Sequence, residues 1–139
     1  MQTSDLLRHQ IIKSLIPPHS DKIADASVLV WEQLSTQVIS IVGVGGFNSL
    51  YTRSIYLSQQ SFPWLEDCAL SAQSGQRFVD LKKCLEGQTA EHAIAANNLL
   101  LITLTDIMAS IIGDQLTNNI LHTAWGDAAL DKNGKELKK

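Results

Sequence analysis

Most of the devices that give a function away are missing from this chain. Its 139 residues include two cysteines, Cys68 and Cys84. Their spacing fits neither a Cys-x-x-Cys redox pair nor half of a zinc site, so two reduced thiols are expected. Charged residues make up 18% of the chain and the formal charge is −3. With no basic stripe to neutralise phosphates, nucleic acid and anionic membrane surfaces are not expected partners. The most apolar stretch, Leu99 to Gly113, is shorter than the ~20 residues of a bilayer span and contains Asp106, so it reads as a core helix. The opening segment MQTSDLLRHQIIKSLIPP mixes charged with apolar residues and has no signal-peptide h-region, which makes a cytoplasmic protein the expectation.

Catalytic signatures are equally scarce. There is no Gly-x-Ser-x-Gly elbow, and neither cysteine sits in an activating motif. No two of the four histidines (His9, His19, His92, His122) stand three or four residues apart, and no Glu-x-x-His pair occurs. A metal site and a cofactor are therefore not expected. The segment LEGQTAEHAIA, Leu85 to Ala95, has roughly the leucine, Gly-x-Thr and Ile-Ala spacing of a helix-turn-helix. Its glycine-to-Ile-Ala gap is one residue too long, and the apolar ANNLLLITL that follows cannot read base edges.

What is present is helical periodicity. Leu7, Ile11, Ile12, Leu15 and Ile16 mark a helix over 4–16, ended by Pro17 and Pro18. Ile23, Val30, Leu34, Val38 and Ile41 mark a second over 21–42, and Phe47, Tyr51 and Ile55 a third over 46–60. A short helical turn is expected within 61–74. A short fourth helix carries Phe78, Leu81 and Leu85, with Gly87 as its stop. Thr89 then opens the longest apolar-periodic stretch, to Ile112, where Gly113 and Asp114 can break, kink or thin the helix. A last helix is expected to end at Gly126. No segment alternates with period two, and no internal repeat stands out. The expected fold is a single all-α domain, residues 1–130, with five to six helices around a long apolar central helix at about 89–112. A charged, frayed tail follows at 131–139, and Trp31, Trp64 and Trp125 are placed at the margins of the core.

The glycine-rich stretch IVGVGGFNSL, Ile41 to Leu50, invites a nucleotide reading that its spacing denies. A dinucleotide fingerprint needs a third glycine and a strand–helix–strand setting, and a phosphate loop needs Gly-Lys-Ser or Gly-Lys-Thr. The remaining reading is a helix end, in which Gly43 or Gly45 takes a left-handed conformation and Gly46 allows close approach. A helix start at Gly45 and Gly46, with Asn48 beside it and Arg53 two turns on, is a candidate corner for an anion.

The central helix carries Thr103, Asp106, Ser110, Gly113 and Thr117 at offsets of 3, 4, 3 and 4, one narrow polar and small stripe. The stripe is a solvent-facing strip, a helix–helix seam or the lining of a pocket. As a seam, Thr103, Ser110, Gly113 and Thr117 form an interface that includes self-association. As a pocket, Asp106, Ser110, Arg53, Asn48, Gly45 and Gly46 bind a small ligand, with Arg53 the expected partner of Asp106. The first functional expectation is a non-catalytic helical interaction or signalling-accessory domain that forms a homodimer or binds a protein partner. The alternative is a small-molecule or anion sensor, and an acid–base enzyme or DNA-binding regulator ranks below both.

Overall fold

The computed structural model describes residues 2–16, 22–68 and 78–133, and among these there is no β-strand. Five α-helices form: α1 (Gln2–Ser14), α2 (Ile23–Ser58), α3 (Val79–Glu86), α4 (Ala90–Ile112) and α5 (Asp114–Asn133). A 3-10 helix, Pro63–Cys68, lies between α2 and α3. This is the expected all-α bundle, and α4 opens where expected, with the Thr89 hydroxyl accepting the His92 N–H at 3.2 Å. At the other end of the chain α5 breaks at Trp125, whose φ of −126° and ψ of 15° are not helical, one residue before the expected end at Gly126, and helical backbone then resumes to Asn133. Asp131 to Asn133 are thus helical, and residues 134–139 of the expected tail lie outside the described residues.

The helices expected at 21–42 and 46–60 are two limbs of α2, joined at Gly43, whose φ of 84° and ψ of 167° are not helical. Trp31 and Tyr51 reveal how sharply the limbs fold. Twenty residues of unbroken helix would hold these side chains about 30 Å apart, yet their ring centroids are 5.2 Å apart. The chain therefore reverses at Gly43 within one residue. Such a φ and ψ is open to glycine and strained for any residue with a Cβ.

Gly113 makes the second reversal, with φ 94° and ψ 157°. Contacts give the directions of the limbs. Trp31 Nε1 donates to Asn97 Oδ1 at 2.8 Å near the start of both helices, and Val42 and Ile112 line one groove near their ends. The first limb of α2 thus runs parallel to α4. The second limb runs antiparallel to α4, with Ser58 reaching Thr103 at 3.4 Å. In α5, Trp125 Nε1 donates to the Val30 carbonyl at 3.1 Å, so α5 returns along the first limb. Two helical hairpins consequently lie side by side with both glycine turns at the same end.

The core fills the space between them. Leu34, Val38 and Phe47 of α2 meet Leu100, Leu101 and Leu104 of α4, all fully buried. Trp31 sits at the centre of this core rather than at its margin, because Asn97 satisfies its indole N–H and Tyr51 and Phe78 enclose its ring. Trp125 is also buried, its N–H satisfied by Val30, while Trp64 is half-buried. α3 and the 3-10 helix pack on α2, and α1 packs on α4 and α5.

The expectation of reduced thiols is overturned: Cys84 of α3 is disulfide-bonded. The one other cysteine in the chain is Cys68, the last residue of the 3-10 helix that packs against α3. The membrane expectation also needs a fuller statement, since α2 and α4 are both long and apolar enough to cross a membrane by length and composition. The turn at Gly43 cuts α2 in two, however, and the apolar faces of both helices meet in one shared core.

Candidate interaction surface at the glycine turns

A one-residue turn brings the last turns of two helices to a bare end, and here both ends are aliphatic. Ile41 and Val42 precede Gly43, and Ile111 and Ile112 precede Gly113. Ile41 is 51% exposed, Ile111 68% and Val44 50%, with Val42 and Leu116 exposed beside them. Between the two turns lies a groove of about 210 Å³, floored by Val38, Leu50, Met108 and Ile120. Ser49 is the one polar side chain in its lining. No charged residue occurs between Glu32 and Arg53.

The opposite end carries an ion pair. Lys82 Nζ lies 2.8 Å from Asp25 Oδ1. That hydrogen bond, reinforced by Coulomb attraction, holds the Asp25 carboxyl below and the Lys82 ammonium above their ordinary values. A second groove, about 410 Å³, opens there between Lys22, Asp25 and Glu86. The groove between the turns is thus aliphatic, while the groove at the far end is ionic.

A groove does lie between the central helix and the glycine corner, as the pocket reading expects, but its lining is different. Of the six expected ligand residues, Gly46 lines it; Asp106, Ser110, Arg53, Asn48 and Gly45 do not. Arg53 is exposed and lies over Tyr56, 5.9 Å from the ring centroid. It does not pair with Asp106 as expected, because that place is taken from the other side of α4.

Asp106 is held by α1. Arg8 Nη2 lies 3.0 Å from Asp106 Oδ1, His9 Nε2 lies 3.0 Å from the same oxygen, and Arg8 Nη1 lies 3.7 Å from Asp114 Oδ1. The Arg8 side chain is 1% exposed and that of Asp106 45%. Two carboxylates on either side of the Gly113 turn therefore face one buried guanidinium, a strap rather than an anion site, since the cation is already engaged. Beside it is a groove of about 320 Å³ with Asn118, Asn119 and His122 in its wall. Among the described residues, no three His, Cys, Asp or Glu side chains are placed to hold a metal ion.

The polar stripe expected on the central helix has no single fate, because Gly113 reverses the chain and removes Thr117 from that face. Thr103 joins the seam with Ser58, Asp106 and Ser110 are exposed, and Thr117 is buried beyond the turn. Ser110 donates to the carbonyl of Ile107 at 2.7 Å. The residues that sequence reasoning passed over are Arg8, His9, Ile41, Val44 and Ile111. The one available signal was the recurrence of Ser, an aliphatic pair and Gly at 40–43 and 110–113.

No family model, no curated protein and no solved structure matches this chain.

Proposed function

We propose that this chain is a non-catalytic helical interaction module that pairs with a second copy of itself through the turn end. The observation that carries the reading is the uncovered aliphatic end, with Ile41, Val44 and Ile111 standing around a groove of about 210 Å³. A second copy is the occupant favoured by charge. Residues 33–52 contribute no charge, and the nearest acid, Asp114, faces Arg8. Two copies can therefore meet end to end without opposing like charges, and each offers both protruding isoleucines and a groove to receive them. Each such side chain is already about half covered, so covering the rest contributes about 1 kcal/mol. Those of both copies together offset an association cost of at least ~4 kcal/mol and leave affinity no tighter than micromolar. A signalling-accessory role is consistent with such a device, and the Cys84 disulfide favours an oxidising compartment over the cytoplasm.

The test is sedimentation velocity on the intact, untagged protein from about 1 to 200 µM, a range that brackets micromolar dissociation constants. The wild type should dimerise, Ile111→Glu should weaken the dimer at least tenfold, and Lys83→Glu at the far end should leave it unchanged. A wild-type protein that stays monomeric at the highest concentration defeats the proposal. The sensor alternative rests on the volume and apolar lining of the same groove. Its mark is a stoichiometric non-covalent adduct in native mass spectrometry, released on denaturation.

A further inference from the structure

We infer that the chain is two copies of one unit, a short helix followed by a helical hairpin, packed about a twofold axis that passes through the apolar groove. The hairpins are residues 23–58 and 93–128, related by a shift of 70 positions. The inference rests on internal geometry and stands whether or not the protein self-associates.

The turns supply the first support. Gly43 and Gly113 are 70 positions apart and are the two glycines with positive φ among the described residues. Their conformations nearly coincide, at 84° and 167° against 94° and 157°. Each closes a tetrapeptide that differs in one aliphatic residue, Ser40-Ile41-Val42-Gly43 and Ser110-Ile111-Ile112-Gly113. Both serines make the same local bond, Ser40 to the Gln37 carbonyl and Ser110 to the Ile107 carbonyl, each at 2.7 Å.

Burial supplies the second. Compared position by position from 23 against 93 to 55 against 125, no residue buried in one hairpin is exposed in the other. Amphipathic helices can always be slid into phase on one limb. Here both limbs stay in phase across a chain reversal, which helical periodicity alone does not impose. Ser35 and Thr105 are equivalent buried hydroxyls, and each donates to a carbonyl one turn back.

Packing supplies the third. Eight of the ten residues that wall the groove are equivalent couples, Val38 with Met108, Ile41 with Ile111, Val42 with Ile112 and Leu50 with Ile120, and Gly46 and Ser49 complete it. A cavity lined in this way sits on the symmetry axis. The flanking helices obey the same operation crosswise, since α1, which precedes the first hairpin, packs on the second, and α3, which precedes the second, packs on the first. Divergence is largest in the core: Trp31, Phe47 and Tyr51 correspond to Leu101, Thr117 and Leu121, and Asp106 corresponds to Thr36. The strap to Arg8 belongs to one copy.

For the site, the consequence is a surface with nearly twofold symmetry, so an occupant can seat in either of two orientations. Two measurements test the inference. In a crystal structure of the intact protein, least-squares fitting of 23–42 and 44–58 on 93–112 and 114–128 should need a rotation near 180°. A rotation far from that, or a better fit at a shift other than 70, overturns the inference. In a symmetrised full-length chain, residues 93–128 are replaced by the sequence of 23–58, with the sequence of 25–60 as an out-of-register control. The in-register chain should unfold cooperatively in urea and the control should not; an in-register chain no more cooperative than the control overturns the inference.

Discussion

Arg8 and Asp106, 98 residues apart in sequence, are joined at 3.0 Å, and the same guanidinium reaches Asp114 at 3.7 Å across the Gly113 turn. The two sides of this bond are unequal, because Arg8 is buried and Asp106 is half in water. Asp106→Ala strips a buried cation of a carboxylate 3.0 Å away and should cost about 2–3 kcal/mol. Arg8→Met leaves half-exposed acids that water can solvate and fills the vacated space, so it should cost less, about 1–2 kcal/mol. Urea titrations of the two variants check the order as well as the size, and equal costs would contradict the unequal burial.

The glycines of IVGVGG should respond to alanine in opposite directions. At Gly43 a Cβ meets nothing within 4 Å, so the cost of Gly43→Ala is backbone strain alone, about 1–3 kcal/mol. Gly113→Ala should cost the same for the same reason. Gly45 is helical and open, so Gly45→Ala should stabilise by about 0.5–1 kcal/mol. Gly46→Ala should destabilise, since its Cβ would stand 2.8 Å from Val42 Cγ2. Thermal melts of the four variants give the signs directly.

Reduction should loosen the region around α3. Cys84 is disulfide-bonded, and losing such a bridge should cost about 2–4 kcal/mol. Calorimetry with and without a phosphine reductant measures this, with Cys84→Ser as the matching variant. Identical melting temperatures in the two conditions would show that the bridge adds nothing to stability.

Alkali should unfold the protein through Tyr51. Burial, aided by the nearby Asp80 charge, pushes its phenol far above the ordinary value of 10.0. Below pH 10 the group is neutral in both folded and unfolded chains and the burial carries no electrostatic penalty. Above pH 10 the unfolded chain ionises and the folded chain does not, so stability should fall by about 1.4 kcal/mol per pH unit from this group. Phenolate absorbance near 295 nm and helical ellipticity should therefore change together for Tyr51, and Tyr51→Phe should flatten the slope.

The fold was legible wherever local spacing decides structure. Leu34 and Val38, or Leu100, Leu104 and Met108, announce their helices whatever packs on them, and Gly43 announces a break. Pairings at long range were not legible. Asp106 gave no sign that its cation lay in α1 rather than at Arg53, because that depends on the direction in which α1 crosses α4. Trp31 looked marginal because its N–H needed a partner that only the Asn97 register supplies. The disulfide at Cys84 depends on what packs beside α3, and a spacing of 16 encodes nothing of it. The internal duplication was hidden for a different reason: its copies retain burial and backbone conformation, while identity survives chiefly around the two turns.

The crosswise placement of α1 also bears on how the protein emerges from a ribosome. Ile12 and Ile16 of α1 and its flanking segment are covered in the folded chain, but the surface α1 packs on belongs to α4 and α5. Roughly 100 residues separate Ile16 from the start of α5, which at ~5–20 residues per second is about 5–20 s of synthesis. During that interval the first hairpin can close, while α1 waits for α5, an apolar segment open to whatever binds nascent chains.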